Sequence, residues 1–221
     1  MGYRTTQQHE SEPEPELRFS DTELRDLAVA WTALSVAFAL IRSPFHRGLA
    51  SFGAFVLSVL VSFLTVGVGF LLHEIAHKVV AIEHGQIAEF RADYQMLLLA
   101  LMGGLVGFLF AAPGAVYHRG QITTRENGLI AIAGPVTNLL LTVLFLPLLI
   151  FSATPGFFPQ VLAMIGQMGV AINLFLAAFN MIPFGPLDGK SVLEWHKGVF
   201  ALVFVPSAAL AAFVLFRVGL F

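Results

Sequence analysis

The chain reads as long apolar blocks separated by short polar stretches. Residues 24–41 form the first block, with Arg25 and Asp26 at its start. The second, 49–72, holds 24 residues without a charge. A transmembrane helix needs roughly 20 apolar residues, so both are long enough to cross a bilayer. The second block predicts a helix running on to His84-Gly85, where glycine stops it. Blocks at 128–152, 160–182 and 198–218 have the same character. Two stretches differ. Residues 86–94 partly alternate apolar and polar, as an edge strand does, and 113–118 reads as a turn and a short strand. Residues 96–112 are apolar but short for a crossing, and are broken by Gly103, Gly104 and Gly107.

Composition agrees with a membrane protein. The 221 residues are 57% hydrophobic and only 12% charged, against about 25% charged in a soluble domain. A net charge of −2 gives no footprint for a nucleic-acid partner. There is no cysteine, so disulfides, thiol catalysis and thiolate metal sites are excluded. The N-terminal stretch is different. Glu10, Glu12, Glu14, Glu16, Asp21, Glu23 and Asp26 cluster around Pro13 and Pro15. This predicts a solvated, disordered acidic tail over 1–23, followed by one membrane domain over 24–221.

One motif carries chemistry. Residues 73–77 read His-Glu-Ile-Ala-His at the end of the uncharged second block. Two histidines four apart share one helix face and can hold one metal ion. The glutamate beside them is placed to activate a water. This is the HExxH pattern of zinc peptidases. Ionisable residues near a bilayer are costly and usually functional. A catalytic zinc takes three protein ligands, so a third must come from elsewhere. The candidates are Asp188, Asp93, Glu126, Glu194, Glu83, Glu89, His84 and His118. Asp188 leads, because Pro183, Gly185 and Pro186 break the helix before it and can turn its carboxylate sideways into a site. Asn138 and Asn173 read as packing residues, Gly134-Pro135 as a helix kink, and His118 as a surface or interfacial residue.

HEIAH, followed by Ala-Gly-Pro-Val-Thr-Asn at 133–138 and Phe-Asn-Met-Ile-Pro-Phe-Gly-Pro-Leu-Asp-Gly at 179–189, resembles the site-2 protease family of intramembrane zinc proteases. The resemblance covers roughly residues 50–195. It implies one zinc ion per chain, held by His73, His77 and Asp188. It implies Glu74 as general base and Asn180 as the group that steadies the substrate carbonyl. It further implies that the partner is a transmembrane helix of a membrane-protein substrate. Two departures stand out: Lys190 stands where the family often has a second glycine, and 96–112 is more apolar than the usual connector.

A shared metal constrains topology. HEIAH and Asp188 must lie on one side of the membrane, so 96–112 must make no net crossing. The expected fold is an all-α polytopic membrane protein. It has five transmembrane helices plus a re-entrant segment with short β-strands between the HExxH helix and the next crossing. Arg4, Arg18, Arg25, Lys78, Arg91, Arg119, Arg125, Lys190 and Lys197 then fall on the active-site side, against Arg42, Arg47 and Arg217 opposite. Positive residues mark the cytoplasmic side, so the site is expected to face the cytoplasm from the cell membrane. From residue 49 to His73 a helix rises roughly 36 Å against a hydrocarbon core of about 30 Å. That sets the metal near the inner face. The competing reading is a membrane metal-binding protein or transporter without peptidase activity, which needs His73, His77 and Asp188 but not Glu74. The sequence leaves the oligomeric state open.

Overall fold

The computed structural model describes residues 16–108 and 113–218. Five stretches in it are long and apolar enough to cross a membrane. The first is α1 (Asp21–Arg42), capped by Ser20, whose side chain accepts from the Glu23 N–H. The second is continuous over Phe52–Glu83 and has three parts: α2 (Phe52–Ser62), a wider π-type turn (Phe63–Gly67) and α3 (Val68–Glu83). Such a turn leaves a carbonyl without its usual helical partner. The indole N–H of Trp31 on α1 donates to Phe63 O at 3.1 Å. Gly85, at φ +75°, follows the end of α3 as expected. The remaining crossings are α5 (Thr124–Phe145), extended by a 3-10 turn over Leu146–Ala153; α6 (Phe157–Asn180); and α8 (Lys197–Val218). The short α7 (Asp188–Trp195) stands between the last two.

The segment between α3 and α5 makes no net crossing. Strand β1 (Ile87–Ala92) leads into α4 (Tyr94–Val106), and β2 (Gly114–Arg119) pairs antiparallel with β1. The register places Gly114 opposite Ala92, so the chain returns to the level it left. Thirteen helical residues rise about 20 Å. At its far end α4 is held by the loop that follows α1. The Arg47 guanidinium donates to Leu105 O at 2.9 Å, and His46 Nε2 lies 2.8 Å from the same oxygen.

The acidic N-terminal region departs from expectation. Glu10, Glu12 and Glu14 lie outside the described residues. Glu23 and Asp26, read from sequence as part of a solvated cluster, are buried. The reason is a clasp between α1, α3 and β1. Glu23 Oε2 pairs with the ammonium of Lys78, itself 2% exposed. Lys78 also donates to the Arg18 carbonyl and lies over the Phe19 ring. Glu23 Oε1 accepts from the Phe90 N–H at 3.0 Å, and Asp26 accepts from the Ala92 N–H at 3.3 Å and the Tyr94 hydroxyl at 2.6 Å. Lys78 is thus internally neutralised and drops out of the positive-residue tally, whose bias survives without it.

The clasp also decides which sheet edge is free. Backbone groups of successive strand residues point to alternate edges. Phe90 and Ala92 give their N–H groups to α1, so the outer edge of β1 is filled. The outer edge of β2, with the backbone groups of Gly114, Val116 and His118, has no strand partner among the described residues.

Candidate metal centre

His73 and His77 project from one face of α3, and Asp188 is the first residue of α7. Their ligating atoms lie within 4.8 Å of one another. The two Nε2 atoms are 3.0 Å apart, and Asp188 Oδ2 is 3.3 and 3.4 Å from them. The approach of α7 depends on Gly189, where a Cβ would sit 2.0 Å from the Met181 carbonyl oxygen. Asp188 Oδ2 takes no hydrogen bond from its own helix, so it faces the histidines. Burial alone would push its pKa up, but the neighbouring His77 and His73 outweigh this and bring the carboxyl down to about 2. The group is ionised throughout the physiological range.

The protonation pattern fits a cation. His77 Nδ1 lies 2.7 Å from Ile130 O. A carbonyl only accepts, so Nδ1 carries the proton and Nε2 presents a lone pair in the neutral ring. That lone pair faces a second imidazole nitrogen and a carboxylate oxygen. Asp188 Oδ2 is buried and takes no hydrogen bond. Electron-rich atoms gathered this closely repel one another unless a positive ion lies among them. Two imidazoles and a carboxylate are a ligand set suited to a catalytic zinc, with a position left for water or substrate.

These groups line a cavity of about 260 Å³. Glu74 reaches it beside the histidines and is 8% exposed. Asn180 lines it from the end of α6, with one amide N–H given to Leu176 O at 3.0 Å, which leaves its second N–H for a ligand. The walls include Leu34 and Phe38 from within α1 and Val66 and Phe70 from the second crossing. The outer edge of β2 forms another side.

Three of the other ligand candidates have different work. Asp93 caps α4 through two N–H groups at 3.0 Å, Glu126 forms a capping box with Thr123, and Glu89 pairs with Arg91 at 2.6 Å. His118 differs from expectation. It is half-buried in the cavity wall, where burial, and then the neighbouring His77, push its imidazole below the ordinary value. Its place on β2 turns it inward, which residue type alone does not reveal.

Gly134 does more than accompany a kink. A Cβ there would lie 2.5 Å from Nε2 of both His73 and His77. We expect Gly134→Ala to push the imidazoles apart and weaken zinc binding roughly 10–100-fold, the range typical of disturbed metal surroundings. Zinc titration of the purified protein checks this, and affinity equal to wild type would refute it. Asn138, one helical turn on, lies with Oδ1 2.7 Å from His73 Nδ1 and is wholly buried.

Neither a family model nor a solved structure matches this chain. Curated proteins do. A protein of Methanocaldococcus jannaschii that carries the provisional name of a zinc metalloprotease is 41% identical over 202 residues, covering 90% of this chain and 97% of its own length. A similarly named protein of Mycolicibacterium smegmatis is 31% identical over 77% of this chain and 68% of its own length. One from Synechocystis is 34% identical over 61% of this chain, but that match spans 31% of its length.

Proposed function

This chain belongs to the site-2 protease family of zinc metalloproteases, and on that premise we propose that it hydrolyses peptide bonds within or beside transmembrane helices of other membrane proteins. The observation that carries the reading is the convergence of His73, His77 and Asp188 beside Glu74, in a cavity walled by the interior of two membrane crossings. One zinc ion per chain, held by these three side chains, would supply Lewis acidity: a polarised carbonyl and a more acidic water. The positive-residue bias supports a site facing the cytoplasm from the cell membrane.

The chain's own residues supply the rest. Glu74 takes a proton from the attacking water as its oxygen bonds to the carbonyl carbon. It then gives that proton to the amide nitrogen as the C–N bond breaks. The free N–H of Asn180 donates to the carbonyl oxygen as negative charge gathers there. A transmembrane helix keeps its backbone hydrogen-bonded to itself, so it must unwind locally to expose a carbonyl. The open outer edge of β2 offers the unwound segment replacement partners by strand addition.

The test uses the full chain in lipid vesicles with a reporter protein bearing one transmembrane helix. We expect cleavage inside or next to that helix, abolished by a zinc chelator and restored by added zinc. Cleavage confined to soluble, unstructured peptides would refute the membrane-substrate reading.

A further inference from the structure

His77 owes its tautomer to a backbone carbonyl, but His73 faces a side-chain amide, and an amide offers either an acceptor or a donor. Which end Asn138 presents is decided by the atoms around it. Its Nδ2 lies 3.1 Å from Gly69 O and 2.9 Å from Asn173 Oδ1. Gly69 O can only accept. Asn173 is oriented in turn, because its Nδ2 donates to Gly169 O at 2.8 Å, again a pure acceptor. Every link therefore runs one way. Asn173 must show its oxygen to Asn138, and Asn138 must show its oxygen to His73. His73 Nδ1 then carries the proton and donates it to Asn138, which leaves Nε2 bare toward His77 and Asp188. Both asparagines are wholly inaccessible to solvent, so no water competes for these bonds. The space is closely fitted: a Cβ on Gly69 would sit 2.7 Å from Asn173 Oδ1.

We propose that Asn138 and Asn173 are positioning residues, a two-amide relay from α6 through α5 to α3 that fixes His73 in its metal-binding tautomer and so sets the affinity of the site. The proposal rests on the metal-binding reading of His73, His77 and Asp188. Flipping Asn138 would turn its NH₂ toward His73 Nδ1 and demand a bare nitrogen there. The proton would then move to Nε2, where it blocks the ion. Asn173 prevents the flip by accepting from Nδ2. Two neutral amides do this without adding another carboxylate to a cavity that already holds Glu74 and Asp188.

The experiment titrates cobalt(II), as a visible probe, and zinc into the full-length protein in detergent micelles. Wild type is compared with Asn138→Leu, Asn173→Leu and the double variant. Asn138→Leu is expected to bind both metals roughly 10–100-fold more weakly and to alter the cobalt absorption bands that report ligand geometry. Asn173→Leu is expected to change both readouts in the same direction by less. Because Asn173 acts only through Asn138, the double variant should bind no more weakly than Asn138→Leu alone. Wild-type affinity and spectrum in a folded variant would overturn the relay, as would losses that add in the double variant. If Asn138→Leu does not fold, Asn173→Leu decides the matter, and unchanged cobalt affinity there overturns it. Failure of the wild type itself to bind cobalt or zinc would instead sink the metal-binding reading.

Discussion

Glu74→Gln is expected to abolish peptide cleavage while leaving zinc bound. The glutamate lies beside the metal cluster and lines the same cavity, but the three converging ligand atoms belong to other residues. Glutamine has nearly the same shape, so the imidazoles on either side keep their places. What disappears is a group that can take a proton from water and hand it to a leaving amine. A positioned general base typically contributes about 10²–10⁴-fold in rate, so turnover should fall by at least that range. The paired measurements are zinc content by elemental analysis and cleavage of a reporter transmembrane helix. The variant also separates the two readings of the sequence. A metal-binding protein or transporter needs the ligands but has no use for this proton carrier, so a variant that keeps its zinc and still cleaves would end the case for Glu74 as the base.

Asp188→Asn should remove the metal rather than the base. Asparagine keeps the size of the side chain but loses the anion, and only two imidazoles remain as strong ligands. The loss of zinc affinity should exceed the roughly 10–100-fold typical when an outer partner of a ligand is removed. Activity should fall with it and recover only partly at high zinc. Elemental analysis after gel filtration would show zinc falling well below one ion per chain. Retention of a full equivalent would show that Asp188 is not a ligand. With Glu74→Gln this gives opposite signatures at two residues of one cavity: metal kept without activity, and metal lost together with activity.

Much of the site is legible in the sequence because its chemistry is restrictive. Few side chains can bind zinc, there is no cysteine, and two histidines four apart at the end of an uncharged apolar run have few other uses. The topology is legible for a related reason. A metal shared by HEIAH and Asp188 forbids a net crossing between them, and the pairing of Ala92 with Gly114 meets that condition. What escapes the sequence is whatever rests on the backbone or on distant partners. The Ile130 carbonyl that fixes His77 leaves no mark on residue type. Asn138 and Asn173 look like any amides packed between helices until their bonds are traced. The π-type turn at Phe63–Gly67 is built from ordinary apolar residues, and only the indole of Trp31 against Phe63 O explains how it is tolerated. Glu23 reads as a solvated charge because its partner, Lys78, is 55 positions away.

That last pair bears on how the chain enters the membrane. Residue 23 begins the first crossing and residue 78 closes the second, and they meet on the same face of the bilayer. Were α1 threaded with the opposite polarity, its carboxylate would be delivered to the far face. Lys78 would then be folded into the protein with no counter-ion, at a cost of about 3–5 kcal/mol for a buried charge left unpaired. The N–H groups of Phe90 and Ala92 would lose their acceptors as well. A chain with α1 alone reversed is therefore penalised where its first two crossings pack together. A contact that includes none of the metal ligands thus checks how the first two crossings are threaded relative to each other: only when these two ends share a face can the chain bury Lys78 against Glu23.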